Sequence, residues 1–532
     1  MNETFRKSMA WLHTWAGVVI GSVLFAIFWM GTLSVFDREI DRWMQPATRL
    51  APSTHSVSLD RVMHAVTSML PADASQWRID LPTERVPVLR LSHQDGAGNT
   101  IVRQLDPASY KLIPDQGTKA GTGFIFVFHY SLHLKWMDFG EWLVGLAGMA
   151  MLVLLVSGVL IHKKIFAEFF TFRPKRHLQR SSLDLHNLTG VIGLPFHFVM
   201  TLSGLIIFMG AYFPQAHLGA YGSGNAAKAT YTAETLGRYT RARTDLPGAL
   251  ASLDAMVGQA EREWGGGRPY LVRVWHPGDA NSYVELRRSV AHDITMNLDQ
   301  IYFDAGTGAV LHRFAAGPVM SVQRFISGLH FVQFEHWTLR WLYFLAGLSG
   351  CVMIATGFIF WLGARRAQHA KQRLVGVRVV ETLTVGSITG IVVATLAFFV
   401  ANRLLPPGSN FAGQDRAALE MWAFYLVWLA TFGHAAWRRA HPATQPARRA
   451  WREQCAAIAV LAVAAVLLNG FTTGDHLLKT LSQAYWPVAG MDLLLLFGAG
   501  LALWSRRRLG RPPANAKAAA GARQARGGAL DA

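Results

Sequence analysis

Apolar runs of membrane-spanning length alternate along the chain with short basic links and two long polar stretches. The first run covers 1–36 and ends at Asp37-Arg38-Glu39. The second lies within 124–162, the third within 186–213, the fourth within 325–362, and four more lie within 384–504, at 384–402, 418–437, 455–471 and 485–504. About 20 apolar residues in a helix cross a hydrocarbon core of about 30 Å, so the pattern predicts an α-helical membrane protein with about eight transmembrane helices. The polar stretches 37–120 and 214–320 change period. In the first, 58–70 has helical spacing and is followed by the strand-like runs WRIDL, VPVLRLSH and NTIVRQLD. In the second, a helix near 249–264 precedes YLVRVWH, SYVELRR and the hairpin IYFDAGTGAVLHRF. Each stretch therefore predicts a small α+β module, a helix on an antiparallel sheet.

The two polar stretches and the first four spans form an internal repeat. A Leu-His pair leads to glycines four and eighteen residues after the histidine in both copies: His13, Gly17 and Gly31, then His186, Gly190 and Gly204. The second copy adds His197 where the first has Leu24, eleven residues after His186. In a straight helix that places both on one face, about 16 Å apart. LVGLAG at 143–148 matches LYFLAG at 342–347, and Leu132-His133 upstream matches Leu329-His330. LDPASYKLI at 105–113 matches FDAGTGAVL at 303–311. Both halves run span, module, span in the same orientation, which predicts a pseudo-twofold axis along the membrane normal.

Composition then excludes some classes. Half the chain is hydrophobic (51%) and it carries 18 Trp. The net charge of +18 does not point to nucleic acid, because Lys and Arg gather in the links, including 163–185, 363–383 and the tail 505–532. By the positive-inside rule those links and both termini are cytoplasmic, and the two modules lie outside. The first run is too long and too late for a cleaved signal segment. The two cysteines, Cys351 and Cys455, lie in apolar runs, so no thiolate metal site or disulfide is expected. GTG at 121–123 and GSG at 222–224 open no strand–helix unit, so no dinucleotide fingerprint is present.

LHTWAG, the Leu-His before LVGLAG, SGVLIHKKIFAEFFTFRPK, LDLHNLTGVIGLPFHFVMTLSG and the FDAGTGAVL hairpin together resemble the PepSY-associated transmembrane family of bacterial inner-membrane proteins, over residues 1–365. The resemblance implies a multi-pass protein in the lipid of the inner membrane, with PepSY-like modules in the periplasm. It also implies two b-type haems and iron-linked redox activity of the ferric-siderophore reductase kind.

The histidines are the candidate ligands. Ionisable side chains at membrane depth are costly and mark function. Haem iron takes two axial ligands on opposite faces, so repeat-related pairs suit it. His13 with His186 is the expected inner pair, and His133 with His330 the outer pair. His129, His162 and His197 are second choices. From His133 to Gly158 is 25 residues, about 38 Å of helix, so His133 and His330 sit at or above the outer interface unless the helix breaks near Gly140. The expected activity is electron transfer across the membrane to a periplasmic ferric chelate, from quinol or a cytoplasmic reductase. Two alternatives are a PepSY-type binding or regulatory protein without redox activity, and a transporter. The few acidic residues in the spans, Asp492 chief among them, weaken the transporter. The carboxylates Asp138 and Glu141 near the outer interface fit solvated surface better than a cation site.

Overall fold

A computed structural model describes residues 3–510 except 52–56, 72–73, 95–98, 163–172, 174–177, 214, 373–375 and 442–445. Most of the basic link 163–185 and all of the tail beyond 510 lie outside the described residues. The chain folds as two compact units, Met1–Gly357 and Phe358–Ala532.

In the first unit, α1 (Glu3–Ser34) is followed by α2 (Asp37–Met44) and α3 (Leu59–Val66). Strands β1 (Gln76–Asp80), β2 (Leu89–Gln94), β3 (Thr100–Leu105) and β4 (Leu112–Ile113) come next. A π-helical turn at Gly121–Phe126 runs into α4 (Val127–Ser131), and α5 spans Phe139–Ile161. Helices α6 (Leu178–Ile192) and α7 (Leu194–Ile207) meet at a 63° bend. Pro195 in the first turn of α7 lacks the N–H that a continuous helix would use. The short helices α8 (Met209–Tyr212), α9 (Gln215–Tyr221) and α10 (Asn225–Leu236) lead to α11 (Leu253–Glu263). Strands β5 (Pro269–Trp275), β6 (Tyr283–Arg288), β7 (Gln300–Asp304) and β8 (Val310–Phe314) precede α12 (Pro318–Phe331) and α13 (Trp337–Gln372).

The strands form one eight-stranded sheet in the order β4-β3-β2-β1-β5-β6-β7-β8. The expectation of two separate small sheets is thus corrected: β1 and β5 pair antiparallel, with Arg78 opposite Arg273. Left apart, each half would expose an unpaired strand edge, and joining them satisfies both. Alternation along β1 sends Trp77 and Ile79 into a core beneath α3 and α11. The two helices cap each other reciprocally. Asp254 accepts from Ser58 Oγ (2.5 Å) and Leu59 N (2.6 Å), and Asp60 accepts from Ser252 Oγ (2.6 Å) and Leu253 N (2.7 Å). Carboxylates at helix N-termini satisfy orphan N–H groups and complement the dipole.

Two expected spans begin later than the apolar pattern suggested. Between α4 and α5, Leu132, His133, Met137 and Asp138 adopt left-handed backbone, and span two runs over Trp136–Ile161 rather than from 124. A break at Val332 likewise divides α12 from α13, so span four starts at Trp337 rather than 325. Gly140 permits the first break, since a Cβ there would lie 1.7 Å from Ser131 O. The sheet is tied to the helices by a buried ion cluster. Arg340 Nη2 donates to Glu39 Oε2 (2.6 Å) and Val35 O (3.0 Å), while Arg85 lies 3.1 Å from Glu39 and 3.3 Å from Asp37. Burial would raise the Glu39 carboxyl, but the Arg85 and Arg340 guanidiniums outweigh it and hold it low.

The second unit holds α14 (Gly376–Leu404), a hairpin of β9 (Asn410–Phe411) and β10 (Gln414–Asp415), α15 (Arg416–Ala440), α16 (Pro446–Thr473), α17 (Leu477–Ser482) and α18 (Trp486–Gly510). Among the described residues six helices are long and apolar enough to cross a membrane, or seven when the bent α6–α7 pair counts as one span. The expected span at 418–437 falls in α15, which has the length (25 residues) but carries charges at both ends and polar and aromatic residues between them.

Candidate functional site

Four helices of the first unit, α1, α4, α6 and α12, bring histidines together in two pairs. His13 of α1 faces His186 of α6 with ring centres 6.2 Å apart and planes at 82°. His129 of α4 faces His330 of α12 with ring centres 6.0 Å apart and planes at 26°. The expected inner pair is therefore brought together. The expected outer pair is not: His330 meets His129, a second choice, instead of His133. The left-handed turn at Leu132 and His133 carries the His133 ring away. It stacks on Phe124 (4.9 Å, 15°) and its Nε2 donates to Phe124 O (2.9 Å).

All four paired rings are held in the same way. Nδ1 of His13 donates to Leu154 O (3.0 Å) and that of His186 to Met353 O (2.8 Å). Nδ1 of His129 donates to Ile27 O (2.9 Å) and that of His330 to Met200 O (2.9 Å). A carbonyl can only accept, so Nδ1 carries the proton and Nε2 presents its lone pair. Hydroxyls support two of the rings: Ser157 Oγ lies 3.1 Å from His13 Nδ1 and Ser203 Oγ 3.0 Å from His330 Nδ1. Such hydrogen bonds fix the tautomer and orientation of ligating imidazoles.

A glycine lies beside each ring. A Cβ at Gly31 would come within 2.6 Å of His129 and one at Gly204 within 2.9 Å of His330. At Gly158 and Gly357 it would stand 3.3 Å from His13 and 3.2 Å from His186. The glycines eighteen residues after each Leu-His thus serve the other pair of histidines. Ile27 is 14 residues beyond His13, so the two pairs lie about 21 Å apart along α1.

Two imidazoles bound through Nε2 to one metal at about 2.0 Å each have ring centres about 6.3 Å apart. Both pairs stand close to that separation. No group of three or more His, Cys, Asp or Glu suited to a bare metal ion occurs among the described residues. Two opposed imidazoles match a haem, which brings four nitrogens of its own and needs two axial ligands. An open, largely apolar cavity lies at the outer pair, lined by His129, His330, Gly31, Gly204, Phe208 and Tyr212 among others.

The remaining second choices are apart from the pairs. His162 closes α5 as its C-cap. His197 is fully buried against Phe28, with Nε2 3.4 Å from Ser349 Oγ, and the 63° bend means it does not continue the His186 face of a straight helix. The signal for His129 was in the sequence, as His129-Tyr130 matching His330-Phe331. It was masked by the stronger Leu-His identity four residues later.

Fold and site together define a multi-pass helical membrane protein that carries an eight-stranded sheet and two half-buried histidine pairs. The sequence profile of the PepSY-associated TM region matches residues 10–364, and the chain belongs to that family. An uncharacterized protein of Pseudomonas aeruginosa is 29% identical over 406 residues, covering 71% of this chain and 93% of that protein.

Proposed function

We propose that the protein is a di-haem b oxidoreductase of the bacterial inner membrane that passes electrons outward to a periplasmic ferric chelate. The observation that carries this is the pair of opposed imidazole couples, His13–His186 and His129–His330, each ring with its Nδ1 on a carbonyl and a glycine at its side. A b-type haem at each couple would supply a one-electron carrier. This chain's own part is to fix the imidazoles and hold Nε2 unprotonated. Two levels about 21 Å apart along α1 suit transfer across a core of about 30 Å. The reciprocal caps of α3 and α11, the symmetric strand order and the matching carbonyls Ile27 and Met200 support a duplicated unit with two PepSY-like modules. Quinol or a cytoplasmic reductase is the proposed donor, with both termini cytoplasmic and the sheet outside.

The test is a visible spectrum of the purified full-length protein with its haem content. Two reducible b-type haems per chain are expected, and His186→Ala should halve the content. Protein that folds without haem would favour the binding or regulatory reading. Both native cysteines are buried, which leaves a low background for topology. Single cysteines at the exposed positions Ser75 and Thr307 should react with an impermeant maleimide in intact cells, and one at Gln179 should not. Labelling of Gln179 alone would invert the orientation.

A further inference from the structure

The face of the sheet opposite α3 and α11 closes a second cavity, of about 390 Å³, against α2, α12 and the segment before α13. Six arginines line it: Arg38, Arg78, Arg85, Arg90, Arg287 and Arg324. Their charges are unequally matched. Arg78 is paired with Asp80 (2.8 Å), Arg85 with Glu39 (3.1 Å) and Arg287 with Glu285 (2.5 Å). Of the other two lining carboxylates, Asp299 is taken by Arg288 (2.9 Å), and Glu335 lies in the field of Arg85. Arg90 has no carboxylate at salt-bridge distance among the described residues, and its buried Nε has no hydrogen-bond partner there. Arg324 Nε donates only to a neutral acceptor, Met296 O (2.9 Å), and Arg38 stands 3.9 Å from Asp37. Burial, with Arg38 next, pushes the Arg90 guanidinium down, and burial does the same to Arg324. Asp80 and Asp41 act on Arg90 only from beyond salt-bridge distance, and half-buried guanidiniums with no carboxylate in contact are costly unless an anion completes them. Arginine's fork suits the paired oxygens of carboxylates and similar oxyanions.

The cavity adjoins the outer histidine pair. Gln333, three residues after His330, lines both cavities, and Asp37 of one is followed by Arg38 of the other.

We propose that this arginine cavity is the binding site for the acceptor, and that the acceptor is a polyanionic metal chelate held through carboxylate or phenolate oxygens by Arg90 and Arg324. The proposal rests on the functional reading above and adds to it the acceptor's charge class and the residues that hold it. Binding next to His129–His330 places the chelate where an electron leaving the outer pair can reach it.

The test separates binding from electron transfer. Gallium(III) citrate, which is not reducible under these conditions, is titrated calorimetrically into the full-length protein in detergent. Binding is expected in the wild type. Arg90→Gln and Arg324→Gln should each weaken it at least tenfold with the haem spectrum and melting temperature unchanged. Arg90→Lys and Arg324→Lys, which keep the charge and lose the fork, should fall between. These lysine variants also decide the matter if a glutamine variant fails to fold. Raising the ionic strength tenfold should weaken binding. Absence of binding by the wild type, full binding by the arginine variants, or salt-independent binding would each overturn the proposal. So would inorganic phosphate or metal-free citrate binding as tightly as the chelate. A protein that binds gallium citrate yet carries no haem would leave this site standing and remove the redox reading.

Discussion

Gly31→Ala tests whether the glycines exist to seat imidazoles. A Cβ at residue 31 would lie 2.6 Å from His129 Cε1 and 2.7 Å from its Nδ1. Carbon contacts are repulsive inside about 3.5 Å, so the ring must retreat by about 0.9 Å. The same movement would stretch the 2.9 Å bond from Nδ1 to Ile27 O beyond the reach of a hydrogen bond. Metal–ligand distances tolerate only about 0.2 Å, so under the proposed function His129 could not keep both its anchor and a bond to a haem iron. Gly204→Ala, with 2.9 Å to His330, should be the next most damaging. Gly357→Ala (3.2 Å to His186) and Gly158→Ala (3.3 Å to His13) need only a few tenths of an ångström. The expected order of damage is therefore Gly31, Gly204, then Gly357 with Gly158. The assay is haem content by the pyridine haemochrome method, with reduced-minus-oxidised spectra and a melting curve on each variant. Gly31→Ala should retain about half the haem with its fold intact, and Gly158→Ala should retain all of it. Full haem and an unchanged spectrum in both Gly31→Ala and Gly204→Ala would refute the seating argument, as would greater damage from Gly158→Ala.

Three further outcomes follow from the same geometry. His129→Ala should remove about half the haem while His133→Ala leaves the content unchanged, and the reverse result would restore the assignment by Leu-His identity. Arg340→Met leaves Glu39 with one buried guanidinium in place of two, which should cost about 3–5 kcal/mol and lower the melting temperature; a melting curve identical to the wild type's would show that the cluster is dispensable. Burial, with the Asp37 carboxylate beside it, pushes the Asp41 carboxyl up to about 6. Its folded-state pKa thus exceeds the unfolded one, so its contribution is present below about pH 4 and lost as pH rises through 6, a span worth about 3 kcal/mol. Asp41→Asn, which still accepts from Thr122 N, should flatten that part of the stability–pH curve, and an unaltered slope would refute the assignment.

The first unit was more legible in the sequence than the second, for physical reasons. The repeat of Leu-His and glycine at fixed offsets reported a structural need, because imidazoles packed between helices require a missing Cβ. His13 and His186 follow from that pattern directly. The outer pair does not, because pairing by sequence identity assumes that the helix continues. The left-handed residues Leu132, His133, Met137 and Asp138 end it, and only His129, a full turn earlier, stays on the bundle. No sequence signal specified β1 pairing with β5, since the alternation in each strand fixes which face is buried and leaves its edge partner open.

In the second unit, hydropathy marked the apolar runs and missed what lies between them. Glu381, Glu420 and Asn402 are each almost fully buried, although only Asp492 stood out along the sequence. Their partners explain why they are tolerated. Arg439 lies 2.8 Å from Glu381, while Glu420 accepts from Asn402 Nδ2 (2.8 Å) and stands 3.0 Å from Arg416 Nε. A buried carboxylate with a guanidinium and an amide on it is neutralised where it sits. These carboxylates are therefore structural ties within the unit and do not supply the free acidic groups that a proton-coupled transporter needs. Asn469 Nδ2 likewise reaches the buried Asp492 at 3.4 Å.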